Sequence, residues 1–273
     1  MNAKEWLDTH ADALRRVKLI ASDLDGTLLQ YGARNLHPET CGLISKLMDK
    51  GLLFFAASGR QYTNLQRLFW PIHERIGYLC ENGAVSFWQG EMLSHEVMEA
   101  QLARELISTG MARENTEVLV SGVMVGYVQP QKPAFADYMR QVVGCDIEVV
   151  PDLLQVAEPS IKISFHEPGG IKDEGFWQAA FGDRCTVVSG GPVWLDTMPA
   201  HVNKGFGLTR ILERLGIAPD ECLALGDNDN DLEMLRLVGV PATVTGGKPL
   251  VRETCAFETD TVEALLEQIG GMI

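Results

Sequence analysis

Missing from this sequence is any run of about 18 apolar residues, so no segment is expected to cross a membrane as a helix. Positive charge is also in short supply: 23 Lys and Arg stand against 37 Asp and Glu, and the formal net charge is -14. A surface this acidic repels phosphate backbones and anionic lipids at long range, which argues against nucleic acid and membrane surfaces as partners. A small phosphorylated molecule stays admissible, because a local cation overrides the global field. The six cysteines, Cys41, Cys80, Cys145, Cys185, Cys222 and Cys255, form no CxxC pair and show no zinc spacing. Most have apolar neighbours, so free, buried thiols and a reducing, cytoplasmic setting are expected. There is no GxxxxGK[ST] loop and no dinucleotide fingerprint. The histidines at 10, 37, 73, 95, 166 and 201 are scattered, and no Ser–His–Asp arrangement can be read from them. The first sixteen residues carry Lys4, Glu5, Asp8, Asp12, Arg15 and Arg16 and no apolar core, so they do not resemble a leader. Leu7, Ala11 and Leu14 instead predict a short extra helix.

What the chain does have is apolar material, 46% of its 273 residues, enough for two modest domains. Short apolar runs at Val17–Ala21, Leu52–Ala57 and Gly77–Cys80 alternate with helical stripes over 38–50 and 62–70. Strand, helix, strand, helix, strand predicts a parallel sheet with crossover helices. After Ala84 the pattern changes. Ile161, Ile163 and Phe165 alternate with Lys162, Ser164 and His166, and Ser121-Gly122 and Gly190-Gly191-Pro192 read as hairpin turns. These features predict an antiparallel α+β domain over 86–199. The parallel pattern resumes with a helix at Lys204–Leu215, a strand at Cys222–Leu225, a helix at 231–237, a strand near 240–244 and two last helices. The fold class is therefore α/β, with a discontinuous core domain, 1–85 and 200–273, and an inserted domain, 86–199.

The polar motifs sit where the core strands end, which is where open α/β sheets bind ligands. In Asp23-Leu24-Asp25-Gly26-Thr27, residues two apart in an extended chain put two carboxylates toward one small volume. Their repulsion is relieved by Mg²⁺, which prefers carboxylate and water oxygens. One carboxylate can then act as nucleophile while the other protonates the leaving oxygen and later activates water. Gly226-Asp227-Asn228-Asp229-Asn230-Asp231 is a second acidic cluster; it lacks the glycine and glutamate of a calcium loop, and Asp227 is expected to ligate the same hard cation. Ser58, the N–H groups of Gly59 and Arg60, and Lys204 supply donors for phosphate oxygens.

These motifs resemble those of the haloacid dehalogenase superfamily, and within it the Cof-type phosphatases with a class IIB cap. Asp23-Leu24-Asp25-Gly26-Thr27-Leu28, Ser58-Gly59-Arg60, Asn203-Lys204-Gly205 and Gly226-Asp227 with Asn230-Asp231 match the four family motifs in order, and Glu81-Asn82-Gly83-Ala84 stands where Cof-type members carry that string. The resemblance implies a Rossmann-like core, an α+β cap that closes over the site, and Mg²⁺ held by Asp23, Asp25 (through its backbone carbonyl), Asp227 and Asp231. It implies catalytic roles for Asp23, which becomes the aspartyl-phosphate, Asp25 as general acid/base, Ser58 and Lys204. Leu24, Gly59, Arg60 and Asn230 are expected to contact the substrate, a small phosphorylated metabolite such as a sugar phosphate. Thr245-Gly246-Gly247 and His201 depart from the family pattern, and Ser-Gly-Arg disfavours mannosyl-phosphoglycerate. A phosphotransferase or mutase using the same covalent step and a non-catalytic sensor of phosphorylated ligands are the alternatives. A monomer or homodimer is expected. On the hairpin before His201, Trp194 and Asp196 share one face and offer a sugar an aromatic wall and a carboxylate.

Overall fold

The structure, a computed structural model, describes residues 1–272, with Tyr31 described by its main chain alone. Fourteen strands are interspersed with helices along these residues. In chain order they are β1 Leu19–Asp23, β2 Leu53–Ala57, β3 Gly77–Cys80, β4 Val85–Trp88, β5 Glu91–His95, β6 Glu117–Ser121, β7 Gly126–Val128, β8 Ile147–Val149, β9 Lys162–His166, β10 Cys185–Ser189, β11 Trp194–Pro199, β12 Cys222–Leu225, β13 Val240–Val244 and β14 Phe257–Thr259. The chain divides into two compact units, one of 1–58, 65–94 and 203–273, the other of 59–64 and 95–202.

The first unit is built on an eight-stranded sheet in the order β14-β13-β12-β1-β2-β3-β4-β5. From β14 to β3 all pairs are parallel, as the alternating strand–helix pattern predicts. β4 runs antiparallel to β3 and carries β5 at the edge, so this hairpin belongs to the larger sheet. The sequence pattern alone assigns it to the insert, because alternation looks the same in any half-covered antiparallel strand. β1 is buried along its whole length, which is why it reads as a continuous apolar run. On one face Leu19, Ala21, Phe55 and Leu79 pack against Leu208, Ile211 and Leu212 of helix Lys204–Leu215 and Met234 and Leu235 of helix Leu232–Leu237. Each fully buried Leu or Phe of this kind contributes about 1.5–3 kcal/mol. The helix begins at an Asn203 cap, whose side chain accepts from the Phe206 N–H, and ends at Gly216 with a left-handed φ of 66°.

The first sixteen residues form two short helices, Ala3–Thr9 and Ala11–Arg16. They cover the β14 end of the sheet. Glu258 donates its N–H to the Met1 carbonyl (3.1 Å), Asn2 bridges Glu258, and Trp6 packs against Phe257 with centroids 4.8 Å apart and the rings tilted by 31°.

The second unit holds a six-stranded sheet in the order β10-β11-β9-β6-β7-β8, antiparallel except for the β7–β8 pair. Ile163, Phe165, Val118 and Leu195 face helices Ala100–Met111 and Glu174–Phe181, with Phe165 stacked on the buried Trp177. The opposite face is not the solvated one that the alternation suggests. Lys162, Ser164 and His166 are all buried. Phe135 and Met139 cover part of that face by packing on Leu119 of β6 and Val128 of β7, and Lys162 Nζ donates to the Gly59 carbonyl (2.9 Å). Segment 59–64 is tied in further by Asn64 Nδ2, which donates to the carbonyls of Val143 (3.0 Å) and Gly144 (2.9 Å).

Candidate active site

The site is assembled at the carboxyl ends of adjacent parallel strands. β1 lies between β12 and β2, with Ser22 opposite Leu225 and Asp23 opposite Ala57, so the residues that follow each strand emerge side by side. Asp23 is buried at the tip of β1. The chain then turns sharply at Gly26, whose φ is 98° and where a Cβ would sit 2.3 Å from Asp227 Oδ2; both the backbone and the space demand glycine. That close approach lets Thr27 Oγ1 donate to Asp227 Oδ1 at 2.8 Å.

Lys204 enters from the first turn of its helix, with a side chain that is 0% exposed. Its ammonium donates to Asp23 Oδ1 at 2.5 Å and to Asp231 Oδ1 at 2.6 Å. The other oxygen of Asp231, Oδ2, accepts from the N–H groups of Asp227 and Asn228, each at 3.0 Å. Asp231 thus ties the lysine to the Asp227 loop.

Three carboxylates, those of Asp23, Asp227 and Asp231, present oxygens within 4.8 Å of one another. Burial and the nearby Asp231 charge push Asp23 well above the usual carboxylate range, against the pull of Lys204. Burial raises Asp227 as well. Burial pulls the Lys204 ammonium down, but the attraction of Asp23 and Asp231 outweighs it and the net shift is upward. With all three carboxylates ionised, one ammonium would leave two negative charges uncompensated, and the raised Asp23 and Asp227 express that excess. An all-oxygen donor set with that excess fits a hard divalent cation such as Mg²⁺ and not Zn²⁺, which favours His and Cys.

Of the residues singled out from the sequence, Asp23, Lys204, Asp227 and Asp231 meet directly. Asp25 is exposed, and its carboxylate lies outside the trio. Leu24 is 0% exposed, so its side chain is packed inside the protein and does not face a ligand. Ser58 follows β2 and is buried; its N–H donates to the Leu79 carbonyl (2.8 Å). Asn230 Nδ2 donates to Asn82 Oδ1 (3.3 Å). Gly59 and Arg60 pack with the second unit, where Arg60 Nη1 donates to Asn64 Oδ1 (3.3 Å). Two further residues touch this machinery. In the sequence Thr27 signals only a sharp turn after the carboxylate pair, and Asn82 stands only as part of a string; their contacts with Asp227 and Asn230 arise from the fold. In the second unit, Trp194 packs against Phe135 and His166, and Asp196 is buried, accepting from Ser164 Oγ (2.6 Å) and pairing with Lys162 Nζ (3.5 Å).

The family profile described as haloacid dehalogenase-like hydrolase matches residues 20–264. The 5-amino-6-(5-phospho-D-ribitylamino)uracil phosphatase YbjI of Escherichia coli is 25% identical over 82% of this chain and 83% of its own length. An endoribonuclease YBEY, chloroplastic, of Arabidopsis thaliana is 39% identical over 86% of this chain, but the match spans only 43% of that protein. Among solved structures, a crystal structure from Eubacterium rectale is 25% identical, with a TM-score of 0.83 over 94% of this chain and 100% of that one. The HAD subclass IIB sugar phosphatase BT4131 shares the fold at 19% identity, with a TM-score of 0.80 over 94% of this chain and 100% of its own. Four motifs gathered on one sheet edge, a profile spanning most of the chain and near-complete structural overlap lead to one conclusion: the chain belongs to the haloacid dehalogenase-like hydrolases, and within them to the Cof-type phosphatases.

Proposed function

We propose that this phosphatase hydrolyses the phosphate monoester of a small metabolite, with sugar phosphates the favoured class, through a phosphoryl group carried transiently on Asp23. The observation that carries this reading is the buried Lys204 bridging Asp23 and Asp231 beside Asp227. Such an arrangement opposes the burial that favours the neutral acid and supplies positive charge where phosphate oxygens arrive.

An Asp23 carboxylate oxygen attacks phosphorus, and the bond from phosphorus to the substrate oxygen breaks. Asp25 gives its proton to that departing oxygen. It then takes a proton from water, whose oxygen attacks the same phosphorus and releases inorganic phosphate and the Asp23 carboxylate. Ser58, Asn230 and Lys204 hold the phosphoryl oxygens, with the main-chain N–H groups of Leu24, Gly59 and Arg60 as further donors. Mg²⁺, held by Asp23, Asp227 and the main-chain carbonyl of Asp25, would neutralise phosphate charge and hold the reacting groups together. Asp231 acts in this scheme by positioning Lys204 and the Asp227 loop, since both of its oxygens already accept hydrogen bonds.

The inserted domain is proposed to select the rest of the substrate. The names of the relatives, a ribitylaminouracil phosphate phosphatase and a sugar phosphatase, support a phosphorylated metabolite of modest size. Six cysteines that stand outside disulfides suit a reducing, cytoplasmic compartment. The test is Asp23→Asn with an aryl phosphate and Mg²⁺. Turnover should vanish while the circular dichroism spectrum stays that of the wild type; undiminished turnover would overturn the proposal.

A further inference from the structure

One turn outside the four motifs touches three of them. After β3 the chain makes a tight turn at Glu81–Gly83 in which Glu81 (φ 52°), Asn82 (φ 56°) and Gly83 (φ 101°) are all left-handed. Left-handed backbone is uncommon for residues other than glycine, and Asn tolerates it best. Two such residues in succession persist only where the surroundings hold them, and such outliers gather at functional sites.

The turn is buried, with Glu81 1% and Asn82 4% exposed. The Asn82 N–H donates to the Ser58 carbonyl (3.0 Å), while the Ser58 N–H donates to Leu79 (2.8 Å), so the end of β3 and this turn grip Ser58 on both sides. Asn82 Oδ1 accepts from Asn230 Nδ2 at 3.3 Å. Gly83 lies so close to the start of the Lys204 helix that a Cβ would come within 2.2 Å of the Asn203 carbonyl oxygen.

We propose that Asn82 is a positioning residue for the phosphoryl pocket. Its backbone fixes the height of Ser58, and its side chain takes one N–H of the Asn230 amide, setting the plane of that amide so that the other N–H meets a phosphate oxygen. The left-handed conformation brings both functions to one residue, because it points the N–H at the β2 end and the side chain at the Asp227 loop. This inference rests on the phosphatase reading.

The test is a double-mutant cycle of Asn82→Gly and Asn230→Ala in the full-length protein with Mg²⁺ and an aryl phosphate, with inorganic phosphate as a competitive probe. Glycine accepts the left-handed backbone, so the first variant removes the acceptor without adding strain. Its kcat/KM should fall roughly five- to tenfold, the scale of one hydrogen bond. Phosphate inhibition should weaken by a similar factor, the unfolding midpoint should hold, and the double variant should be no worse than Asn230→Ala alone. Losses that multiply independently, or a lowered midpoint with phosphate inhibition unchanged, would overturn the proposal. If Asn82→Gly does not fold, Asn82→Ser, too short to reach Asn230, goes through the same cycle with the same two outcomes. An active Asp23→Asn variant would sink the Asp23 nucleophile, and with it the proposed mechanism on which this inference rests. An inactive one combined with a multiplicative cycle would sink only the role of Asn82.

Discussion

Replacing Lys204 by methionine keeps the length of the side chain and removes its charge. The lysine side chain is 0% exposed and its ammonium contacts Asp23 and Asp231, whose side chains are 7% and 0% exposed. Lys204→Met therefore strands two carboxylates in a site with no cation between them. Removing one partner of a buried pair destabilises by about 3–5 kcal/mol. At roughly 2–4 °C per kcal/mol for domains of this size, the unfolding midpoint should fall by about 6–20 °C. The loss should also depend on pH with a definite sign. The folded-state pKa of Asp23 lies above its unfolded value, so the stability linked to it is fully present in acid and is lost as pH rises through the folded pKa. Without Lys204 the attraction that holds that pKa down is gone, and the folded pKa climbs further. Variant and wild type should thus lie closest in acid and diverge toward neutral pH. The assay is thermal unfolding of both proteins across that range, first with chelator and then with Mg²⁺, which should restore part of the loss by supplying the missing positive charge. Equal midpoints at neutral pH without Mg²⁺ would refute the reasoning, because they would mean that the two carboxylates are not confronted in the dry site described above.

Chelation with EDTA should abolish hydrolysis and Mg²⁺ should restore it, since the Asp23, Asp227 and Asp231 oxygens carry more negative charge than Lys204 offsets; full activity after exhaustive chelation would contradict this. Asp25→Asn should slow alkyl phosphates far more than an aryl phosphate, whose leaving group needs little protonation; equal losses would leave Asp25 a purely structural part of the loop. In the second unit, Asp196→Asn should lower stability by about 1–3 kcal/mol through its Ser164 and Lys162 partners. It should also reorder relative rates among sugar phosphates more than it changes the rate with an aryl phosphate, and a uniform slowing of all substrates would show that Asp196 only holds the sheet together.

The strands that deliver the site were legible because each is buried on both faces and so forms an unbroken apolar run ending in a polar residue, as β1 does at Ser22-Asp23 and β12 at Gly226-Asp227. The helix from Lys204 to Leu215 was legible to the residue, because Asn203 and Gly216 mark its ends chemically. The membership of the β4–β5 hairpin was not, since pairing partners are set by the third dimension and not by alternation. β14, only three residues long, gives no periodic signal at all. The depth of Lys204 was hidden for a similar reason: a lysine reads as a solvated residue until its two carboxylate partners, drawn from distant parts of the chain, are seen to surround it. Asp231 stands in the sequence as one more carboxylate of an acidic loop, and its hydrogen bonds to Lys204 and to the Asp227 loop emerge only in the folded state.

The two rims of the eight-stranded sheet are finished differently. At one, β5 ends the sheet with exposed Glu91 and Met92 on a short hairpin strand. At the other, β14 is met by the very start of the chain, which lends it a carbonyl from Met1 and shields it with Trp6. A naked strand rim is a template on which another chain can pair and from which clumping begins. The opening helices are thus a selvedge: they lie outside the residues proposed to handle phosphate, yet trimming the protein back to Val17 would bare the β14 rim as a second edge free to stick to its neighbours.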